Sequence, residues 1–178
     1  HESEFKRKDG SIGWWTVSAV KLNEDEYLGF VEDITDQKEA DQALLESRTL
    51  FRNVANNSPV GIFRCNENGE TTYVNPKYCE ITNLSEKEAL GQGWSKAVHP
   101  EDFDFVTKNW QKAHKNQSSS SAEYRFMHKD GKIVWVSGRA VPDIKDGELS
   151  GYVGTISDIT ERKRFELSII ESEATLQR

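Results

Sequence analysis

Two hydrophobic rhythms share this chain. Apolar residues alternate with polar ones through Glu4–Arg7 and Ile12–Val20, and the apolar run Tyr27–Val31 reads as a third strand. A period of two is that of strands with one covered face. Lys8-Asp9-Gly10-Ser11 separates the first two runs, and Asp-Gly between alternating runs marks a hairpin, because the tight turn needs positive φ. From Asp36 to Asn57 the rhythm changes. Ala40, Leu44, Ser47, Phe51 and Val54 recur at spacings of four and three, with Ala43 and Leu50 widening the stripe. That is the face of a helix roughly 33 Å long. Acids crowd its start, at Asp33, Asp36, Glu39 and Asp41, where they suit the positive end of the helix dipole.

Asn57-Ser58-Pro59 stops the helix, since the residue before proline is pushed out of helical geometry. Val60–Cys65 and Thr71–Val74 then flank Asn68-Gly69 as a second hairpin. Short helices follow. Asn75 is an N-cap with Pro76 behind it, Ser85 and Glu88 form a capping box, and Gly91 is the stop. His99-Pro100-Glu101-Asp102 opens the longest of them, with Phe103, Val106, Trp110 and Ala113 on one face. Asn116–Ser121 is a polar loop. Three strands close the region, Ala122–Met127, Ile133–Val141 and Leu149–Ser157, turning at Asp130-Gly131 and near Asp146-Gly147. Tight turns join the strands within each group, so the class is α+β, a five-stranded antiparallel sheet with short helices on one face.

One unit occurs twice. Tyr27–Glu32 leads into Asp33-Ile34-Thr35-Asp36-Gln37-Lys38, and Gly151–Ser157 leads into Asp158-Ile159-Thr160-Glu161-Arg162-Lys163. The offset is 158 − 33 = 125 positions. It persists downstream, where Phe165, Ile169, Ser172 and Leu176 align with Ala40, Leu44, Ser47 and Phe51. The chain therefore divides into strands at 1–35, a linker helix at 36–56, a complete domain at 57–160 and a second linker helix at 161–178. Three strands are too few to stand alone, so residues 1–35 read as the end of a domain whose front half lies elsewhere. The linker stripes are narrow, which suits pairing with a copy of the same helix, a homodimer of coiled-coil type.

Bulk properties narrow the function. A hydrophobic fraction of 35% with five Trp, five Tyr and eight Phe supports a modest core. The net charge of −7, without a basic stripe, argues against a nucleic-acid partner. Cys65 and Cys79 lie 14 apart, a spacing of neither a redox pair nor a zinc site, and read as reduced thiols of a cytoplasmic protein. No apolar run reaches the length of a membrane span, so this fragment makes no membrane contact, although its parent can carry an anchor elsewhere.

Ser58-Pro59-Val60-Gly61-Ile62-Phe63, Val74-Asn75-Pro76, Leu90-Gly91 with Trp94, His99-Pro100-Glu101-Asp102, Lys129-Asp130-Gly131 with Trp135 and the doubled Asp-Ile-Thr triplet resemble the PAS family of sensor domains with its C-terminal PAC motif. The resemblance covers about residues 47–163, and residues 3–38 look like the last three strands of a preceding PAS domain. It implies a sensory or relay region of a bacterial multi-domain signalling protein. The first reading is a two-component sensor histidine kinase. The alternatives are a dimerising spacer without a ligand of its own, or the input region of a diguanylate cyclase. The chain has no phospho-accepting His box and no Gly-rich nucleotide lid. Catalytic residues are therefore expected in a downstream kinase or other output domain of the same chain.

The resemblance also names candidate residues. Asp33, Ile34, Thr35, Asp158, Ile159 and Thr160 are expected to carry movement from sheet to helix. Asp158 with Glu161, and Asp33 with Asp36, read as variant capping boxes. Phe63, Cys65, Tyr73, Tyr78, Trp110, Phe126 and Trp135 are expected to line an internal pocket for an unidentified small molecule. The alternative is that these aromatics simply fill the core. Haem is disfavoured, because His114, the only candidate ligand, lies one position off the helix stripe. Flavin is disfavoured because the surroundings of Cys79 depart from the photosensor motif. No metal site is expected. His99 is expected to cap a helix, and His128 stands beside a hairpin turn.

Overall fold

The structure, a computed structural model, describes residues 1–176, without the side chains of residue 171 and of residues 173–176. The side chain of the Leu176 stripe position, and Gln177 and Arg178 of the second linker helix, lie outside what is described. The chain forms two compact units, His1–Asn53 and the part from Val54 onward.

In the first unit β1 (Glu2–Lys6), β2 (Ile12–Lys21) and β3 (Tyr27–Asp33) form an antiparallel sheet in that order. Trp15 pairs with Ser3 on one side and Asp33 on the other. Helix α1 (Thr35–Asn56) begins two residues after β3 ends. Phe5 stacks on Trp15 at 4.8 Å between ring centroids. Most other large apolar side chains here stay exposed, including Val20, Tyr27, Phe30 and Val31. The helix stripe is exposed too, Leu44, Phe51 and Val54 being 50%, 57% and 62% accessible.

The second unit holds a five-stranded antiparallel sheet in the order β5-β4-β8-β7-β6. These strands are β4 (Gly61–Cys65), β5 (Thr71–Val74), β6 (Ser120–Met127), β7 (Ile133–Lys145) and β8 (Glu148–Asp158). Between β5 and β6 lie α2 (Pro76–Thr82), α3 (Glu86–Ala89), a 3-10 turn at Gly93–Ala97 and α4 (Phe103–Lys115). Helix α5 (Thr160–Leu176) follows β8. Tyr78, Ile81 and Val106 from the helices meet Phe126, Val134, Val136 and Ile156 from the sheet in one core. Gly61 lets α2 approach β4, because a Cβ there would stand 2.9 Å from the Tyr78 Cα.

Turns explain why β7 and β8 run longer than their apolar pattern predicts. Asp146 and Gly147 both have positive φ, 52° and 84°, so two residues reverse the chain and the ladder continues to Lys145 and Glu148. At Asp9-Gly10, Asn68-Gly69 and Asp130-Gly131 only the glycine is left-handed. There the glycine N–H bonds back three residues, as in Gly131 to His128 at 2.9 Å, which makes a longer loop than the two-residue turn expected.

The caps expected at Asn75 and Ser85 form, and Asn75 does more. Its fully buried amide accepts from the Ile62 and Tyr78 N–H groups at 2.7 and 2.9 Å. It donates to the Ala55 and Val60 carbonyls at 2.8 and 3.1 Å. One side chain thus joins the end of α1, the start of β4 and α2, with each of its polar atoms paired.

Candidate functional site

Each sheet passes into its helix through a junction with one intervening residue, Ile34 or Ile159. At the second, the Ile159 N–H bonds the Trp135 carbonyl at 2.8 Å, and the Trp135 N–H bonds Thr160 Oγ1 at 3.0 Å. The Thr160 N–H donates to Asp158 Oδ1 at 2.8 Å, and the Lys163 N–H to the Ile159 carbonyl at 2.9 Å. The first junction repeats all four bonds. Ile34 donates to Trp14 at 2.8 Å, Trp14 to Thr35 Oγ1 at 2.9 Å, Thr35 to Asp33 Oδ1 at 3.0 Å and Lys38 to Ile34 at 2.9 Å. The threonine hydroxyl takes the place of the next strand residue, so the ladder carries on into the first helical turn.

This corrects the capping-box expectation. Asp33 and Asp158 accept from the N–H two residues on rather than three, and Glu161 and Asp36 take no part in the pairing. The reason is that the threonine is committed to the strand, leaving its own N–H as the donor nearest the aspartate. Asp33 is also reached by the Arg7 guanidinium at 2.8 Å. The Thr35 hydroxyl, then Arg7 and the Thr35 N–H, hold the Asp33 carboxyl at about 2, below its ordinary 3.8.

Charged groups fasten each helix start to its tryptophan. Lys38 and Lys163 lie over the Trp14 and Trp135 rings, 5.3 and 5.6 Å from the centroids. Lys38 pairs with Glu2 at 2.6 Å and Lys163 with Glu123 at 2.9 Å. Trp135 also meets Arg125 at 5.5 Å. Arg125 is clamped by Asp102 through its Nε at 3.0 Å, its Nη2 at 2.6 Å and its backbone N–H at 2.8 Å. These bonds keep the Asp102 carboxyl below its usual range. Asp102 is therefore unavailable to cap α4, and makes no side-chain bond to that helix. His99, expected as a cap, instead accepts from the Glu101 N–H at 3.3 Å, just before α4.

A pocket of about 70 Å³, partly open to solvent, lies between α4 and the sheet. Phe63, Cys65, Tyr78 and Trp110 line it, as the sequence suggested. Tyr73, Phe126 and Trp135 do not. Tyr73 pairs with exposed Arg64 and so shares its outward face, beside a bulge at Arg64–Cys65. Trp135 falls between inward-facing Val134 and Val136 and faces the other side. Phe126 points inward but is sealed in the core beside Tyr124, 5.2 Å away. Sequence reasoning missed Trp94, Asn109, Tyr124 and Gly138. Alternation with Phe126 along β6 would have found Tyr124. Trp94 lies in a short 3-10 turn, where no period signals which way a side chain faces.

Burial pushes the Cys65 thiol up to about 11. Cys79 is partly buried in α2. His114 places Nε2 2.8 Å from the Glu67 carbonyl, tying α4 to the β4–β5 hairpin, and His128 Nε2 lies 2.9 Å from the Ile81 carbonyl. Among the described residues no cluster of three or more His, Cys, Asp or Glu is placed to hold a metal ion. No described helix is long and apolar enough to cross a membrane.

Residues 71–156 match the family model described as the PAS fold. An uncharacterized protein of Sinorhizobium fredii is 34% identical over 93% of this chain and 21% of its own length. Sporulation kinase C of Bacillus subtilis is 34% identical over 66% of this chain and 27% of its own length. A probable diguanylate cyclase of Escherichia coli is 28% identical over 68% of this chain and 11% of its own. The chain thus spans about a quarter or less of these relatives. The crystal structure of a sensory box histidine kinase/response regulator from Burkholderia thailandensis superposes with a TM-score of 0.55 at 26% identity. It covers 72% of this chain and 98% of that one. The five-stranded domain is a PAS domain, homologous to those of histidine kinases and diguanylate cyclases.

Proposed function

We propose that this chain is the sensory and relay region of a bacterial two-component sensor histidine kinase. In this reading it works as a cytoplasmic homodimer whose linker helices pair as a coiled coil and feed a phosphorelay. Residues 1–35 are the end of a preceding PAS domain, and residues 57–160 are a complete one. A change in the twist of the sheet moves α5 through Asp158, Ile159 and Thr160, and biases a two-state output. One observation carries the reading: the same four-bond junction is built at both sheet–helix boundaries, with no unbonded residue in which movement could be lost. Exposed Phe165 and Ile169 on α5, and Leu44 and Phe51 on α1, supply apolar faces for the pairing.

The test is Thr160→Val in the intact protein. It leaves the Trp135 N–H without its acceptor, a cost of about 1–3 kcal/mol at the joint. Signal-dependent autophosphorylation should fall while the protein stays folded, and Thr160→Ser, which keeps the hydroxyl, should restore it. An unchanged signal response in Thr160→Val at equal abundance would remove the relay role. A diguanylate cyclase output is the second reading, favoured by the Escherichia coli relative. Phosphohistidine formation and cyclic dinucleotide synthesis separate the two in one assay of the intact protein.

A further inference from the structure

Helix α4 packs on the inward face of the sheet through Val106. Asp102 stands immediately before it, and its carbonyl accepts the first N–H of the helix, that of Val106, at 2.9 Å. The Asp102 carboxylate reaches the other way, to Arg125 on β6, the last strand of the sheet. Around it the His99 N–H donates to the Arg125 carbonyl at 2.8 Å, and Arg125 Nη2 donates to Glu101 at 2.8 Å. The segment that leads into α4 is thus laid along the outer edge of β6, where Val98 also bridges to Phe126.

Arg125 alternates with buried Tyr124 and Phe126, so its side chain lies on the outward face. There it stands opposite Trp135 and over the indole. Lys163 of α5 lies over the same indole and pairs with Glu123, two residues before Arg125. Arg162 pairs with Glu123 as well. Trp135 therefore holds one cation that is tied to α4 and another that belongs to α5. Two cations over one ring repel, and each here has its own carboxylate, Asp102 for Arg125 and Glu123 for Lys163.

The first junction has only half of this arrangement. Lys38, Trp14 and Glu2 repeat Lys163, Trp135 and Glu123 in register, because Glu2 faces Thr16 and Glu123 faces Ser137, each two residues beyond the tryptophan. Opposite Trp14, where the second junction has Arg125, stands Glu4. A carboxylate is not attracted to the negative face of an aromatic ring. The arm that reaches α4 belongs to the second junction.

We propose that Asp102 and Arg125 are positioning residues for α5. They set the Trp135 ring on which Lys163 rests, so a shift of α4 reaches the start of α5 round the β6 edge, alongside the Asp-Ile-Thr joint. Its use in signalling rests on the relay reading. The connection itself is measured in the 178-residue chain, without signal or output domain, so the two fail separately.

Amide hydrogen exchange is the measurement. Asp102→Asn alters a residue that touches neither Trp135 nor α5. It should accelerate exchange at the Lys163 N–H by at least about 3-fold, the scale of one cation–π contact or half-exposed ion pair. Coupling is reciprocal, so Lys163→Ala should accelerate exchange at the Arg125 N–H. In a Trp135→Leu background, Asp102→Asn should leave Lys163 unchanged. The Trp14 and Lys38 N–H groups of the first junction should respond to none of these changes. Glu101→Gln, which weakens only the outer bond to Arg125, replaces Asp102→Asn if that variant unfolds, with a smaller acceleration expected at the same amide. No response at Lys163, a response that survives Trp135→Leu, or an equal response at Lys38 would overturn the connection.

Discussion

The two sheet–helix junctions are near copies, while the sheets behind them are not. Trp14, Asp33, Thr35 and Lys38 make the same bonds as Trp135, Asp158, Thr160 and Lys163. Yet β8 is paired on both sides, by β7 and β4, and Ile156 on it is 1% accessible. Its counterpart β3 is paired on one side only, and Val31 on it is 62% accessible. The contrast separates two kinds of encoding. A junction needs only a tryptophan on the neighbouring strand and a short Asp-Ile-Thr run, on two adjacent strands and the helix start. A core needs residues brought together from far along the chain.

The sharpest way to break the comparison is to remove an aromatic from each sheet. Phe126 is 1% accessible, so Phe126→Ala should cost about 3–5 kcal/mol of the second unit's stability. Phe30 is 52% accessible, and Phe30→Ala should cost no more than about 0.5 kcal/mol. Denaturant unfolding of the two variants measures both. A cost at Phe30 that approached the one at Phe126 would mean that the apolar face of β3 is covered in solution, and the contrast between the sheets would vanish.

A smaller effect tests the likeness rather than the contrast. Thr35→Val and Thr160→Val each strand one tryptophan N–H, at Trp14 and Trp135. Amide hydrogen exchange at those two residues should accelerate by about 10- to 100-fold in each variant, which corresponds to losing about 1–3 kcal/mol. Similar accelerations would show that the junction's strength is set locally. Acceleration at Trp135 alone would tie it to the five-stranded sheet.

What could be read from the sequence follows the same division. The doubled triplet, the hairpin glycines and the caps at Asn75 and Ser85 depend on neighbours a few residues away, and all are found in place. The donors on Asn75 find Ala55 and Val60 across 20 and 15 residues, and no local pattern announces that. Pocket residues were legible where helix or strand phase was unambiguous, as for Trp110 and Cys65. Tyr73 was misplaced because the adjacent bulge resets the strand phase. Trp135 was misplaced because aromatic residues occupy both faces of the sheet, and alternation cannot say which face the helices cover. Its partners, Arg125 and Lys163, are 10 and 28 positions away, and only the fold brings them to the ring.

The smallest expected effect isolates Arg7, whose bonds to Asp33 and Thr35 distinguish the first junction from the second. Asp33 is held at about 2, below its ordinary 3.8, so the carboxylate is favoured in the folded chain. Its contribution to stability is fully present above the ordinary value, and is lost as pH falls through about 3.8 towards 2. Arg7→Ala removes the second of the causes and leaves the first, the Thr35 hydroxyl. The carboxyl should therefore move up only part of the way, as read from its carbon chemical shift between pH 1.5 and about 5. A full return to the ordinary value would make Arg7 the holder of Asp33, and the first junction would then be a charge-held variant rather than a copy of the second. A partial return would leave threonine as the common element, with Arg7 as reinforcement on the sheet that has the smaller core.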